Sequence, residues 1–447
     1  MVPAAVVTLS AIAALVFMPG LTAGFVSDSW LFLERADDSS LADVAAFVDA
    51  QRAGFLRPAI ESYFWLGYRL FGLDPLPYHL ASIAGHVSSA ALLGLLTARL
   101  TGHAWAAVAA AASLLFAVAA HEPLYDVADI HNALGGPLLM GAVLAYARGS
   151  VFLPPLLTVA LATVDESALL VLPLVTLYAV VVRARPVRSI IPVAAVTALY
   201  VAFRLVGGGF GSESDGCRAM SCLAAGLSDY ADRLLMRPDG IIRADPPTVA
   251  VIGVALGIVL LVRPWQRWRV LAFGAAWTVG SSIFFIIGLY PYIADRFLYI
   301  PGMGLGIVAG ALVAEAAAKR GTVSRSVAAV AVSVIVAWIG VGAVVLHDRA
   351  ERWAAAGRRA EAIVASIAVA VPDPPAGMAF VIAGVPHSDE PVFPPGNTGP
   401  YVFHNGLLHA LILRYDQRNL SVTEPPGAPP YGEPTIRLTI TGSRVSR

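Results

Sequence analysis

Between residues 121 and 132 the stretch "HEPLYDVADIHN" carries His121, Glu122, Asp126, Asp129, His131 and Asn132, with apolar runs on both sides. Other short stretches have the same character. "ATVDESALL" sets Asp165 and Glu166 between apolar residues, and "YPYIADRFLYIPG" places Asp295 and Arg296 among aromatics, with Tyr299 close behind. "GFLRPAIESY" adds Arg57, and "GFVSDSWLF" ends a long apolar run on Asp28. Carboxylates in such places suit general-base or metal chemistry, and a guanidinium suits phosphate oxygens, which it binds bidentately. Ionised groups at the edge of an apolar run are costly, so each is either a solvated flank or a reactive group.

Every one of these residues also has a plain structural reading. Asp28 suits a helix cap, although no Glu or Gln stands three residues on to complete a capping box; Trp30 follows Ser27 and Leu31 follows Asp28 at that spacing. Glu122 suits a solvated loop, and Asp165 with Glu166 suits the turn of a helical hairpin. Arg296 suits an ion pair with adjacent Asp295, or a headgroup contact. His121 and His131 match metal ligands by residue type alone, which leaves a divalent metal open without fixing one.

These groups must be held by the elements around them, and composition says what those are. The chain has 447 residues, 57% hydrophobic and 13% charged, where a soluble domain carries about 25% charged residues. It reads as an all-α polytopic membrane protein. Net charge is zero, which gives no case for a nucleic-acid partner. A span takes about 20 apolar residues, fewer if the helix is broken or protein-buried. Eleven segments qualify: 4–26, 77–98, 104–120, 133–147, 151–164, 166–182, 189–206, 247–262, 270–289, 302–318 and 327–346. The fifth is short and marked by Pro154 and Pro155, so a re-entrant hairpin is the alternative.

Charge sets the orientation. Alternate short loops hold Arg99; Arg148; Arg183, Arg185 and Arg188; Arg263, Arg267 and Arg269; and Lys319, Arg320 and Arg325. The opposite set holds Asp28, Glu34, Asp37, Asp38, Glu122, Asp126, Asp129, Asp165, Glu166 and Asp295. The N-terminus is therefore expected in the cytoplasm of a cell (inner or plasma) membrane, with the acid-rich loops outside.

Three outer segments are long. Residues 27–76 contain an amphipathic pattern in "SSLADVAAFVDA" and an interfacial aromatic cluster in "ESYFWLGYRLFG". Residues 207–246 contain the two cysteines, Cys217 and Cys222, which form a small disulfide or remain two free thiols. From 347 the hydropathy falls. "RAERWAAAGRRAEAIVASI" reads as a helix, and "GMAFVIAG" and "TIRLTITG" read as strands. The chain thus divides into a membrane core, 1–346, and a small α+β extracytoplasmic domain, 347–447. Phosphate-loop, dinucleotide, HExxH and Ser-elbow motifs are missing, which disfavours an ATP-driven pump.

The order of Asp28, "LRP", "GYRLFGLDPLPYHLASIAGH", "LLFAVAAHEPLYDVADIHNALGG", "ATVDESALLVLPLVTLYAV" and "ADRFLYIPGMGLGIVAGAL" resembles the GT-C superfamily of membrane glycosyltransferases. It is nearest the branch of protein O-mannosyltransferases and tetratricopeptide-bearing transmembrane mannosyltransferases, over residues 20 to 320. The resemblance implies transfer of a sugar from a polyprenyl-phosphate donor to a protein or glycan acceptor on the outer face; no covalent enzyme intermediate is needed in this scheme, so inversion is expected. It implies Asp28, Glu122 and Glu166 as catalytic residues, and Arg296 with Tyr299 match its Arg-Tyr pair before a late span; guanidinium chemistry makes Arg296 the expected holder of the donor phosphate, with Arg57 the second candidate. Asp165, His79, His131 and Asn132 are secondary positions. The chain departs from the pattern twice. Relatives often have two acids where this chain has Asp28-Ser29, and Lys-Glu where it has Asp165-Glu166. A transporter or flippase of a lipid-linked substrate is one alternative; it would place ionisable groups near mid-membrane in pseudo-symmetric halves. An inactive envelope scaffold is the other.

Overall fold

The computed structural model describes residues 2–46, 57–182, 186–206, 220–235, 267–289, 294–318, 322–388, 399–425, 427 and 434–446. Among these, seven helices are long and apolar enough to cross a membrane: Val2–Thr22, Leu76–Thr101, Val127–Arg148, Arg188–Val206, Trp268–Gly288, Asp295–Ala318 and Ala328–Ala370. An eighth candidate span, Ala104–Leu115 with Val118–Tyr125, bends by 57° at its break. Leu153–Ala162 and Glu166–Val182 are apolar but shorter. Ten of the eleven expected segments therefore appear as helices of unequal kind, and 247–262 lies outside the described residues.

The bundle packs through small residues, as lipid-embedded helices do when backbones approach closely. A Cβ on Gly310 would lie 2.5 Å from the carbonyl oxygen of Ala106, and one on Gly304 would lie 2.6 Å from the amide nitrogen of Thr278. These contacts fix the helix that begins at Tyr299, and with it the loop that precedes it.

Three shorter helices follow the first span among the described residues: Ser29–Asp38, Leu41–Ala46 and Pro58–Phe71. Ser29–Asp38 packs against Pro58–Phe71, with Phe32 stacked on Phe64 at 4.8 Å between ring centres. The expected aromatic cluster is thus split. Phe64 is fully buried, while Leu66, Leu70 and Phe71 on the same helix are exposed. Of the expected amphipathic helix, Leu41–Ala46 is helical and 47–56 lie outside the described residues.

The last span is far longer than the roughly 20 residues that a membrane crossing needs. A single helix runs Thr322–Ala370, 49 residues, so the expected boundary at 346/347 falls inside it. Beyond it lies a four-stranded sheet in the spatial order Ser421–Thr423, Ala379–Ala383, Thr435–Thr441, Arg444–Ser446. Strand β1 (Ala379–Ala383) runs parallel to β2 (Ser421–Thr423) and β3 (Thr435–Thr441); β4 (Arg444–Ser446) is antiparallel to β3. The two strands expected from "GMAFVIAG" and "TIRLTITG" are β1 and β3. The apolar β1 is central and buried, whereas β3 alternates. The helix Leu407–Tyr415 completes the domain.

Candidate active site

The acid-rich loops converge at one end of the bundle, around two arginines. Arg57 directly precedes Pro58, whose fixed φ suits the first turn of a helix. Its Nη2 lies 3.0 Å from Glu166 Oε2 and 3.3 Å from Asp165 Oδ2. Glu166 is also met by Arg204 Nη1 at 3.4 Å. Asp165 additionally caps the short helix Glu166–Leu170, accepting from the Ser167 amide at 2.7 Å. The hairpin-turn reading of Asp165 is thus correct in part, and its second oxygen serves Arg57.

Arg296 donates to Glu122 Oε2 at 2.7 Å, and its Nε lies 3.7 Å from Asp129 Oδ1. Glu122 is fully buried, and its Oε1 accepts from the Asp295 amide at 3.2 Å. The expected local pair of Arg296 with Asp295 is overturned. Asp295 is bound instead by Arg233 at 2.7 Å and His121 at 3.0 Å. The reason is geometric: Asp295–Leu298 is a 3-10 helix, in which consecutive side chains diverge by about 120°.

Asp28 completes the group. It stands at the cap position of Ser29–Asp38, but its side chain makes no capping bond. Its Oδ1 accepts instead from Asn405 Nδ2 at 3.0 Å. The capping reading is therefore removed. Ser29 is fully buried and donates to Asp126 Oδ1 at 3.2 Å. Asp126 also accepts from the Ala128 amide at 3.0 Å. Burial, and then the charges of Asp129 and Asp28, push the Asp126 carboxyl well above the ordinary carboxylate range. Asp129 is buried, and its Oδ2 has no hydrogen-bond partner among the described residues. A buried carboxylate oxygen left in this way is costly unless a further group meets it.

The histidines are occupied. Asn132 donates to His131 Nε2 at 3.0 Å, so the proton of His131 sits on Nδ1, toward the Ala128 carbonyl oxygen at 3.4 Å. Trp353 donates to His121 Nδ1 at 3.0 Å, so Nε2 carries the proton and donates to Asp295. His121, Glu122 and Asp295 do offer ligand atoms within 4.8 Å of one another. Their facing atoms are engaged with Trp353, Arg233, Arg296 and each other. Two expected residues are engaged inside the bundle. Tyr299 is buried and its hydroxyl meets His86 Nδ1 at 3.0 Å; His79 Nε2 donates to the Ala23 carbonyl oxygen at 2.9 Å. Cys222 is disulfide-bonded, and Cys217, the other cysteine of the chain, lies outside the described residues.

Sequence reasoning missed Arg204, Trp353 and Asn405, and named Asp126 and Asp129 without giving them a place in the site. The last two carried a signal, since both stand in the stretch richest in polar groups. Arg204 lies inside an apolar run, and only the placement of its helix reveals its partner.

No protein-family model and no curated protein sequence matches the chain. Solved structures do. The crystal structure of ArnT from Cupriavidus metallidurans bound to undecaprenyl phosphate has the same fold, with a TM-score of 0.51 and 15% identity. The likeness covers 94% of this chain and 86% of that one. The apo structure of the same protein gives a TM-score of 0.51, 15% identity, and coverage of 94% and 85%. The chain is thus a multi-pass membrane protein with the expected GT-C-like fold and a small C-terminal sheet.

Proposed function

We propose that this protein transfers a sugar from a polyprenyl-phosphate donor to an acceptor hydroxyl at the outer face of the membrane. One observation carries the reading: Arg57 and Arg296 flank Asp129, with Asp28 close by it, at one end of a bundle whose fold is that of an undecaprenyl-phosphate-binding protein. A lipid-linked donor has its tail in the bilayer and its reactive phosphate–sugar bond at the interface, where these loops meet.

On this reading the groups present take the following roles. The acceptor oxygen attacks the anomeric carbon while the bond from that carbon to the phosphate oxygen breaks. The proton passes to Asp28, and the electron pair leaves with the polyprenyl phosphate. Arg296 and Arg57 neutralise the charge that grows on it. Direct displacement inverts the anomeric centre. Glu122 is too enclosed to meet an acceptor, and we assign it to orienting Arg296; Glu166 orients Arg57 in the same way. Asp129, between the two arginines, is placed to accept from a donor hydroxyl. The two departures from the GT-C pattern are then compensated from elsewhere in the fold. Asp126 reaches the Ser29 position from another loop, and Arg57 with Arg204 bring positive charge to the Asp165-Glu166 turn.

The test is transfer in membranes containing the purified protein, supplied with undecaprenyl-phosphate-linked radiolabelled hexoses, mannose first. Label passes into envelope material with the wild type and stays on the lipid with Asp28→Asn. Equal, background-level label in both proteins across the hexose panel would overturn the reading.

Sidedness is tested separately. In a variant without Cys217 and Cys222, cysteine at Asn419 reacts with an impermeant maleimide added to intact cells, and cysteine at Arg148 does not. The reverse labelling would move the site to the cytoplasm.

A further inference from the structure

We propose that the C-terminal domain is part of the reaction centre: Asn405 is a positioning residue that holds the Asp28 carboxylate in the orientation from which it receives the acceptor's proton. The inference rests on the reading of Asp28 as the base.

Asn405 Nδ2 donates to Asp28 Oδ1 at 3.0 Å. A carboxylate turns freely about its last bond unless one oxygen is held. A donor on Oδ1 stops that rotation and directs Oδ2 toward the attacking hydroxyl. Misplacement of a reacting group by about an ångström is enough to lower a rate about a hundredfold.

Three independent contacts keep Asn405 in register with Asp28. The backbone is the first. Ser27 N–H donates to the Val402 carbonyl oxygen at 3.0 Å, and Ser27 is held at φ 48°, a left-handed conformation uncommon outside glycine. The turn that presents Asp28 is therefore shaped against the loop that presents Asn405. Close approach is the second. A Cβ on Gly406 would lie 2.3 Å from the Ser27 carbonyl oxygen and 2.9 Å from Trp30 Cδ1, so only glycine admits this docking. The third is a charged latch. Arg418 pairs with Glu34 at 2.8 Å and Asp37 at 2.6 Å, with Asp38 at 3.7 Å. These acids lie on the helix Ser29–Asp38, which Asp28 directly precedes, so the domain holds both ends of that helix.

The arrangement separates two roles. Asn405 touches the base and none of the arginines assigned to the donor phosphate. Its loss should therefore lower turnover and leave donor affinity alone. It is also an exposed side chain, so its removal leaves the domain folded.

The experiment is a cycle of Asp28→Asn, Asn405→Ala and the double variant. Transfer is measured with undecaprenyl-phosphate-linked radiolabelled mannose, or with whichever hexose of the panel the wild type transfers. Asn405→Ala should lower kcat about tenfold with KM for the donor unchanged, and the double variant should match Asp28→Asn alone. Limited proteolysis guards against an undocked domain. Asn405→Ala keeps the wild-type cleavage pattern, whereas Arg418→Ala, which cuts the latch, exposes the domain. Two results overturn the inference while leaving the base in place: full activity in Asn405→Ala with Asp28→Asn impaired, or losses that multiply in the double variant. Full activity in Asp28→Asn removes the base itself, and this inference with it.

Discussion

Arg296→Ala abolishes sugar transfer, lowering the rate at least about a hundred- to a thousandfold, the scale found when one preorganised donor is removed from a developing anion. Arg296→Lys restores part of it, because an ammonium supplies charge without the planar pair of donors. The structure sharpens the control. Arg296 is the ion-pair partner of buried Glu122, so its removal leaves a buried carboxylate without its counter-charge, and such broken pairs cost about 3–5 kcal/mol. Loss of activity in Arg296→Ala could then come from a damaged fold. Arg296→Ala combined with Glu122→Gln removes the buried charge. Thermal stability returns toward wild type, and transfer does not. Recovery of both in the double variant would show that the pair is structural and would end the phosphate-binding role.

Asp28→Asn keeps the size of the side chain and removes the base. Transfer falls about a hundredfold or more, as general-base loss does; a hundredfold is about 2.7 kcal/mol of barrier. Donor binding is retained, since the phosphate-holding arginines are untouched, and binding of undecaprenyl phosphate to the purified variant checks this. Unimpaired turnover at equal expression would return Asp28 to a structural role at the start of its helix.

Much of this architecture was legible in the chain because lipid imposes a strong pattern. Apolar length located the helices, and the segregation of Arg from Asp and Glu sorted the loops into two sets. Alternation and β-branching marked β1 and β3. The polar run from His121 to Asn132 announced a site. Pairing was not legible, because it depends on where helices meet. Adjacent Asp295 and Arg296 look like partners in the sequence, yet the tight turn sends one to Arg233 and His121 and the other to Glu122. Arg204 sits in an apolar run and reads as a lipid-facing anomaly until its helix is placed beside Glu166. Trp353 and Asn405 come from a region that reads as an appended domain. Sequence offers no sign that a distant loop touches Asp28, because that contact depends on the docking of the whole domain. Tyr299 and His79 mislead in the opposite sense. Polar residues near a site in sequence can still face inward, where each satisfies a partner in the bundle.

The long final helix gives the protein the mechanics of a cantilever. At about 1.5 Å per residue, 49 residues make a rod of about 73 Å. With no break in this helix, the C-terminal sheet cannot tumble on a tether. A tilt of the rod within the bilayer must swing the tip, and a force on the tip must be felt at the root. Length along this rod is also angle, since each added residue turns the chain beyond it by about 100°. Insertions in the stem would therefore rotate the loop bearing Asn405 away from the bundle, whereas insertions in the loops at the tip leave that phase intact. Variation among proteins built this way should accumulate at the tip, and the stem should keep its count.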